Sequence, residues 1–274
     1  NLVPHSGTLL FMSTLENATA VLKLFSRQGV NQGHPGLSFS DVVNNLALPK
    51  STVSRLLMTM ESEGLLERDP DSRLYRIGKL LLAISSHYLS TPLVDATTPY
   101  MTQLSQLTQC TGYVSMLEGR EIMIMRMFPG RTYLQVVTPA GSLLPAHETA
   151  IGRAILARYS DDEVRERYRG EYQVKSANSP KSIDLLLVRL AEIRQNGLSF
   201  ANNETLQGIS SLATSIFNKH RNEIVGLGLS FSSPAEGKGI PEGIKDGLTA
   251  VTRKIAEKLG DDDWINHQRL SGLQ

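Results

Sequence analysis

Hydrophobic positions recur at helical spacing through the first third of the chain and then shift to the shorter period of strands. In "NATAVLKLF", Ala20, Val21, Leu24 and Phe25 share one helical face, and the glycine-rich run at 29–36 ends that helix. Ser38 and Asp41 are spaced as a capping box ahead of Val42, Val43 and Leu46, which predicts a short second helix. Pro49 suits a first helical turn, so a third helix is expected from there to Glu63, burying Val53, Leu56, Leu57 and Met60, with Gly64 in the left-handed cap. Two short runs, 65–68 and 74–77, flank a turn rich in Asp, Pro and Ser and predict a hairpin. "KLLLAISSHYLS" then predicts one further helix that stops before Pro92 and links two domains.

Beyond that link the pattern mixes strands with helices. A helix is expected over Asp95 to Thr108, then strands at "TGYVSML", "EIMIMRMF" and "YLQVV". Helices follow at His147 to Tyr159, Asp161 to Tyr168 and Ile183 to Gln195. Strands resume at "LSFAN", "ISSLATSIF" and "EIVGLGLSFS", the last two joined as a hairpin across "NKHRN", and a final helix covers Ile244 to Leu259. Strands paired with strands and helices gathered between them argue an α+β fold around a largely antiparallel sheet. The expected boundaries are 12–78 for the helical and hairpin module, 79–94 for the linker helix, 95–262 for the second domain and 263–274 for a tail. Residues 1–11, ahead of Met12, are set aside as a remnant of expression.

Composition narrows the class. At 274 residues the chain suits two domains, and 41% apolar residues, 20% charged residues and a net charge of +1 argue against disorder or a fibrous protein. Its one cysteine, Cys110, leaves no intramolecular disulfide and no zinc site built from several thiolates, which fits a reducing compartment. No apolar run approaches the roughly 18 residues of a membrane span, so a cytoplasmic protein without membrane partners is expected.

The third helix carries the most informative chemistry. Opposite its apolar face stand Ser51, Thr52, Arg55 and Thr59, short hydroxyls and one guanidinium where a purely solvated face would carry long charged side chains. Entering a DNA major groove needs hydroxyls that bond phosphates or base edges without holding the helix away, and an arginine able to reach guanine O6 and N7 together. Ser51, Thr52, Ser54 and Arg55 supply both, with Lys50 and Thr59 alongside. The hairpin adds Arg68, Arg73 and Arg76, placed to neutralise phosphates. From Met12 to Ile77, however, seven basic residues are matched by seven acidic ones, so affinity has to come from local placement and from doubling in an oligomer. Helix pairs of this kind also occur as plain packing units, and an alternative is a small-molecule sensor or enzyme whose helix–turn–helix serves protein association.

"LPKSTVSRLLMTMESEGLLERDPDSRLYRIG", residues 48–78, closely resembles the winged helix–turn–helix of the IclR family of bacterial transcription regulators. "LPAHETAIGRAILA", residues 144–157, is similar to the stretch opening the family's ligand-domain helix, and "NETLQGISSLATSIFN" with "VGLGLSFSSP" to its closing strands. The resemblance implies an N-terminal winged helix–turn–helix that binds a double-stranded DNA operator. It also implies a C-terminal GAF-like domain sensing a small metabolite, often a carboxylate, and assembly as a homodimer or a dimer of dimers. Paired half-sites on DNA would then multiply a weak single contact.

For the effector the resemblance points to the backbone of Ala150 and Ile151, where a helix start offers unpaired N–H groups to an anion. Ser211 stands where some members have cysteine. Ser230 and Ser232 share a strand face, and the alternation Gly228, Ser230, Ser232 leaves the alignment ambiguous by two residues. "FANNE", residues 200–204, departs from members that carry an aspartate there; Asn203 brings an amide that donates and accepts without repelling an anion. Tyr133 and Leu134 are assigned to the apolar wall. No catalysis is expected, because G-x-S-x-G is missing and "HETAI" has isoleucine where H-E-x-x-H needs its second histidine. No cofactor and no metal are expected.

Overall fold

The computed structural model describes residues 13–27, 36–89, 91–130, 138–170, 172–234 and 239–264. The set-aside leader, the expected strand at "YLQVV" with Tyr133 and Leu134, and the tail from 265 lie outside the described residues. The chain divides into two compact units, one ending at Tyr88 and the other starting at Leu89.

The first unit holds helices α1 (Thr14–Arg27), α2 (Phe39–Leu46) and α3 (Lys50–Ser62), the hairpin strands β1 (Leu66–Arg68) and β2 (Tyr75–Ile77), and helix α4 (Lys79–Leu89). The capping box is formed: the Ser38 side chain accepts from the Asp41 amide at 3.1 Å while the Ser38 amide donates back to Asp41 at 2.8 Å. Such a cap is worth about 1 kcal/mol, enough to define where a two-turn helix begins. Ala47 turns the chain between α2 and α3 in left-handed backbone, φ 51°. Gly64 does the same after α3, φ 73°, and the Leu65 amide donates back to the Met60 carbonyl at 2.9 Å, which stops the helix and aims the chain into β1. Val53, Leu56, Leu57 and Met60 pack with Val21, Leu24, Val42, Leu66 and Tyr75 into one core. Leu37 adds a short third bridge to Tyr75, pinning the hairpin to the helices.

The second unit is an antiparallel six-stranded sheet between two helical layers. Its elements are α5 (Pro92–Thr108), β3 (Thr111–Glu118), β4 (Glu121–Phe128), β5 (Leu143–Pro145), α6 (Ala150–Leu156), α7 (Asp161–Arg167), α8 (Ile183–Asn196), β6 (Ser199–Asn202), β7 (Ile209–Asn218), β8 (Glu223–Ser232) and α9 (Glu242–Leu259). The strand order is β5-β4-β3-β8-β7-β6. Alternation sorts the two cores: Val225, Leu227, Leu229 and Phe231 of β8 pack toward α5 and α9. Toward α6 the same strand presents Gly226, Gly228 and Ser230 in between, and α6, α7 and α8 cover that face with Tyr113, Ile122 and Ile124. The glycines let α6 lie close. A Cβ at Gly228 would stand 2.6 Å from Ile151 Cγ1, and one at Gly226 would collide with Ile151 as well.

Several element boundaries differ from expectation. The helix expected from Asp95 begins at Pro92, because Thr91 caps it, accepting from the Val94 amide at 3.3 Å, and Pro92 fills the first turn where its missing N–H is not needed. The single helix expected over His147 to Tyr159 is instead a 3-10 turn, Ala146–Glu148, followed by α6. Thr149 separates them in extended backbone, and its hydroxyl accepts from the Gly152 amide at 3.0 Å. The edge strand β5 was not foreseen; three residues are too few to show a period.

Candidate functional site

In the first unit the predicted recognition face is open. Lys50, Ser51, Ser54, Arg55 and Thr59 are exposed and Thr52 is half-buried, while the four aliphatic residues on the other side of α3 are buried. Thr59 donates its hydroxyl to the Arg55 carbonyl at 3.0 Å, which holds the side chain against the helix and leaves oxygen lone pairs outward. On the hairpin, Arg68 lies 5.2 Å from the centre of the Tyr75 ring and donates to the Arg73 carbonyl at 3.2 Å. Arg76, exposed, pairs with the half-buried Asp69 at 2.8 Å. Arg73 is exposed, with φ 60°, at the hairpin turn. All nine residues assigned to DNA therefore lie at the surface or half-buried in one unit, and none is sealed in the core.

In the second unit a cavity of about 60 Å³ opens between the start of α6 and the C-terminal part of β8. Ala150, Ile151, Ser211 and Ser230, all assigned to the effector by resemblance, line it together with Tyr113, Ile122, Ile124, Thr138, Leu144, Thr149, Thr205 and Leu206. It begins where the β8 glycines give way to Ser230: glycine lets α6 touch the sheet through Ile151 and Ile155, and beside Ser230 lies the N-terminus of α6. Ser211 and Ser230 are register partners with hydroxyl oxygens 2.8 Å apart, one donating to the other. Burial pushes the Tyr113 hydroxyl above the ordinary tyrosine range, opposed by its hydrogen bonding to Thr138. That hydroxyl is a neutral donor at physiological pH.

The remaining expectations fare differently. Ser232 stands exposed at the end of β8 and does not line the cavity, whereas Ser230 does. Asn203 is not a lining residue either. Its side-chain oxygen accepts from the Gly208 amide at 2.6 Å and from the Ser233 hydroxyl at 3.1 Å, so the amide shapes its own loop. Tyr113, Thr138, Thr205 and Leu206 went unread. Nothing local distinguishes Tyr113 from a core strand residue, and Thr205 and Leu206 lie on a loop whose destination only folding sets.

Next to the cavity, His147 and Glu148 are buried rather than poised for catalysis. His147 Nε2 meets the Gln173 carbonyl at 2.8 Å, and its ring packs on Tyr168 and Tyr172, centroids 5.3 and 4.8 Å away. Burial lowers the His147 pKa, only partly countered by the Gln173 carbonyl and Glu148, and it pushes Tyr172 up to about 12. Cys110 is buried, and burial raises its thiol pKa, so it behaves as a small apolar group. A second hollow, about 220 Å³, is lined by Ala157, Arg158, Arg194, Ser215 and Trp264. Its arginines are engaged: Arg158 by Asp261 and Ser215, Arg194 by Asp161 and the Ala157 and Tyr159 carbonyls. Among the described residues no group of three or more His, Cys, Asp or Glu is placed to hold a metal, and no helix is long and apolar enough to cross a membrane.

Comparison with known proteins matches both units. Residues 14–70 match the family described as "IclR helix-turn-helix domain", and residues 86–257 match "Bacterial transcriptional regulator IclR C-terminal". The chain is 27% identical over 222 residues to the HTH-type transcriptional regulator XynR of Escherichia coli, covering 80% of this chain and 86% of that one. To the Escherichia coli regulator KdgR it is 25% identical over 251 residues, covering 91% and 95%. A solved IclR homolog from Microbacterium hydrocarbonoxydans, complexed with 4-hydroxybenzoate, has the same fold with a TM-score of 0.74 at 20% identity, covering 91% of this chain and all of that one.

Proposed function

This chain belongs to the IclR family of bacterial transcriptional regulators, and from that membership we propose that α3 reads an operator while the cavity beside α6 holds a small carboxylate that changes the reading. The observation that carries the proposal is the two-faced α3. Four aliphatic side chains root it in the core and leave Ser51, Ser54, Arg55 and Thr59 facing outward. A helix fixed on one side and short on the other can enter a major groove without rearranging. Exposed Leu80, Leu82 and Ile84 on α4 support a homodimer, or a dimer of dimers, since Leu80 and Ile84 lie one turn apart on one face and exposed apolar side chains gain from a second copy. Paired modules would offset the neutral charge of a single one.

The cavity supports the sensing half. Six of its lining residues, Tyr113, Thr138, Thr149, Thr205, Ser211 and Ser230, carry hydroxyls among aliphatic walls, and none of the lining residues is charged. Such a lining suits a small molecule with one hydrogen-bonding head and a compact apolar body. At about 60 Å³ it has room for roughly four to six waters, which matches an acid of a few carbons. The ligand of the Microbacterium relative, an aromatic acid, belongs to the same chemical class but needs more space. A cytoplasmic setting follows from a DNA partner.

The test is a salt-controlled gel shift on the DNA upstream of the protein's own coding region. Arg55→Ala should weaken binding by about 1 to 3 kcal/mol at fixed salt and relax preference at one base position. Equal affinity of parent and variant would remove α3 from the operator. Salt-independent binding, or no retarded band, would favour a helix–turn–helix used for protein association.

A further inference from the structure

The connection from β6 to β7, residues 203–208, forms one wall of the cavity and is fastened by hydrogen bonds, among them the Ser233 amide to the Gly208 carbonyl at 2.9 Å, and by one ion pair. Thr205 and Leu206 line the cavity from this loop, and Leu206 is 51% exposed, so its other side faces solvent. Both ends of the loop sit in left-handed backbone, Asn203 at φ 53° and Gly208 at φ 81°. Asn203 ties the two ends together through the Gly208 amide.

Between those ends stands Glu204. Its two carboxylate oxygens receive the two Nη atoms of Arg153 at 2.6 and 2.9 Å, and the Ser179 hydroxyl donates to it at 2.9 Å. The Arg153 side chain is 1% exposed and that of Glu204 10%. Arg153 reaches the cluster from α6, where its Nη atoms also donate to the His147 and Phe200 carbonyls at 3.1 and 2.9 Å, while its Nε is buried without a partner. A buried ion pair is a poor device for stability, since an apolar pair of similar volume commonly does as well. What a two-pronged arginine–carboxylate pair supplies is orientation. Here it orients the residue immediately before Thr205.

An acid of a few carbons fits the cavity as it stands, whereas a ring-sized one such as 4-hydroxybenzoate fits only if a wall moves. The α6 and β8 walls are close-packed on each other through Ile151 and Gly228. The loop is held by hydrogen bonds and one ion pair, with left-handed backbone at both ends. We propose that residues 203–208 are the lid of the effector cavity, and that Glu204, anchored by Arg153, is the positioning residue that sets Thr205 and Leu206 against the bound molecule. This rests on the cavity being the effector site.

Hydrogen exchange on the full chain tests it, comparing the parent with Glu204→Gln and Ser179→Ala. Glu204→Gln should speed exchange at the Gly208 amide and across 203–208 by about tenfold or more, with amides of the β7–β8 ladder unchanged. Ser179→Ala, which leaves the ion pair intact, should act on the same residues to a smaller degree and serves if Glu204→Gln does not fold. Unchanged exchange in the loop, or a uniform rise across the domain, overturns the lid. With 4-hydroxybenzoate as the probe, Glu204→Gln should raise association and dissociation rates together, by more than the dissociation constant changes. If the parent does not bind this probe while the loop opens in Glu204→Gln, the lid is supported and an aromatic acid is ruled out as the effector.

Discussion

Arg158 and Asp261 meet in a two-pronged pair, Nη1 to Oδ1 at 3.0 Å and Nη2 to Oδ2 at 2.9 Å, where β7 runs past the end of β6. Pairing with β6 stops at Ala213, so the next stretch of β7 has backbone groups without a strand partner on that side. The pair supplies them: Arg158 donates to the Ser215 carbonyl at 2.7 Å, and Asp261 accepts from the Phe217 amide at 2.9 Å. The open edge is thereby closed by side chains, and the segment after α9 is tied to the sheet, with Trp264 donating to the Thr214 hydroxyl at 3.0 Å.

Asp261→Ala should therefore be strongly destabilising. The Asp261 side chain is 1% exposed, and its loss leaves a largely buried guanidinium and the Phe217 N–H without their acceptor. A cost of about 3 to 5 kcal/mol is expected in urea denaturation. A loss under about 1 kcal/mol would mean the edge is covered in some other way.

Stability should also depend on pH through His147. The Gln173 carbonyl can only accept, so the proton sits on Nε2, and the buried Nδ1 has no partner. Charging the ring places a second N–H where no acceptor waits, next to Tyr168, Tyr172 and Arg153, with Glu148 the one opposing charge nearby. The folded pKa is lowered below the ordinary value of about 6.5, so below that pH the unfolded chain binds more protons. The contribution is whole above about pH 6.5 and is lost as pH falls below it. Denaturation at pH 5, 6, 7 and 8 should show this slope in the parent and a flatter profile in His147→Gln; identical profiles would contradict it.

At Gly228 the expected result is crowding. A methyl there meets Ile151 Cγ1 at 2.6 Å and Cδ1 at 2.7 Å, and an isoleucine can shift only partly in a packed layer. Gly228→Ala should cost about 1 to 3 kcal/mol, with part recovered by adding Ile151→Val, read by thermal melting of the single and double variants. Failure of the second change to recover anything would place the strain elsewhere.

Filling the cavity should separate sensing from DNA binding. Ser230→Val removes the hydroxyl partner of Ser211 and adds bulk at the cavity floor. The variant should lose its thermal shift with small carboxylates while keeping operator affinity within about twofold in the absence of ligand. Loss of operator binding together with the ligand response would show that the substitution acts on folding.

The first unit was nearly complete in the sequence because its signals are local. Ser38 and Asp41 are three residues apart, Gly64 follows its helix directly, and the burial of Val53, Leu56, Leu57 and Met60 is a matter of period. In the second unit the β7–β8 hairpin was legible for the same reason. The edge strand β5 was too short to register, and the break at Thr149 was hidden because a 3-10 turn followed by a short helix keeps almost the period of one longer helix.

By itself the sequence determined which face of α3 is apolar and which is open, where the caps fall, and that Ser211 and Ser230 lie on strands. Only the tertiary structure decided that those two serines touch, that Ser232 and Asn203 stay out of the cavity, and that Tyr113, Thr205 and Leu206 complete it. It also joined Arg153 to Glu204 across 51 positions and Arg158 to Asp261 across 103. Period and capping act within a turn or two of chain, whereas a cavity is made by close packing between segments far apart, and no local pattern records which segments those are.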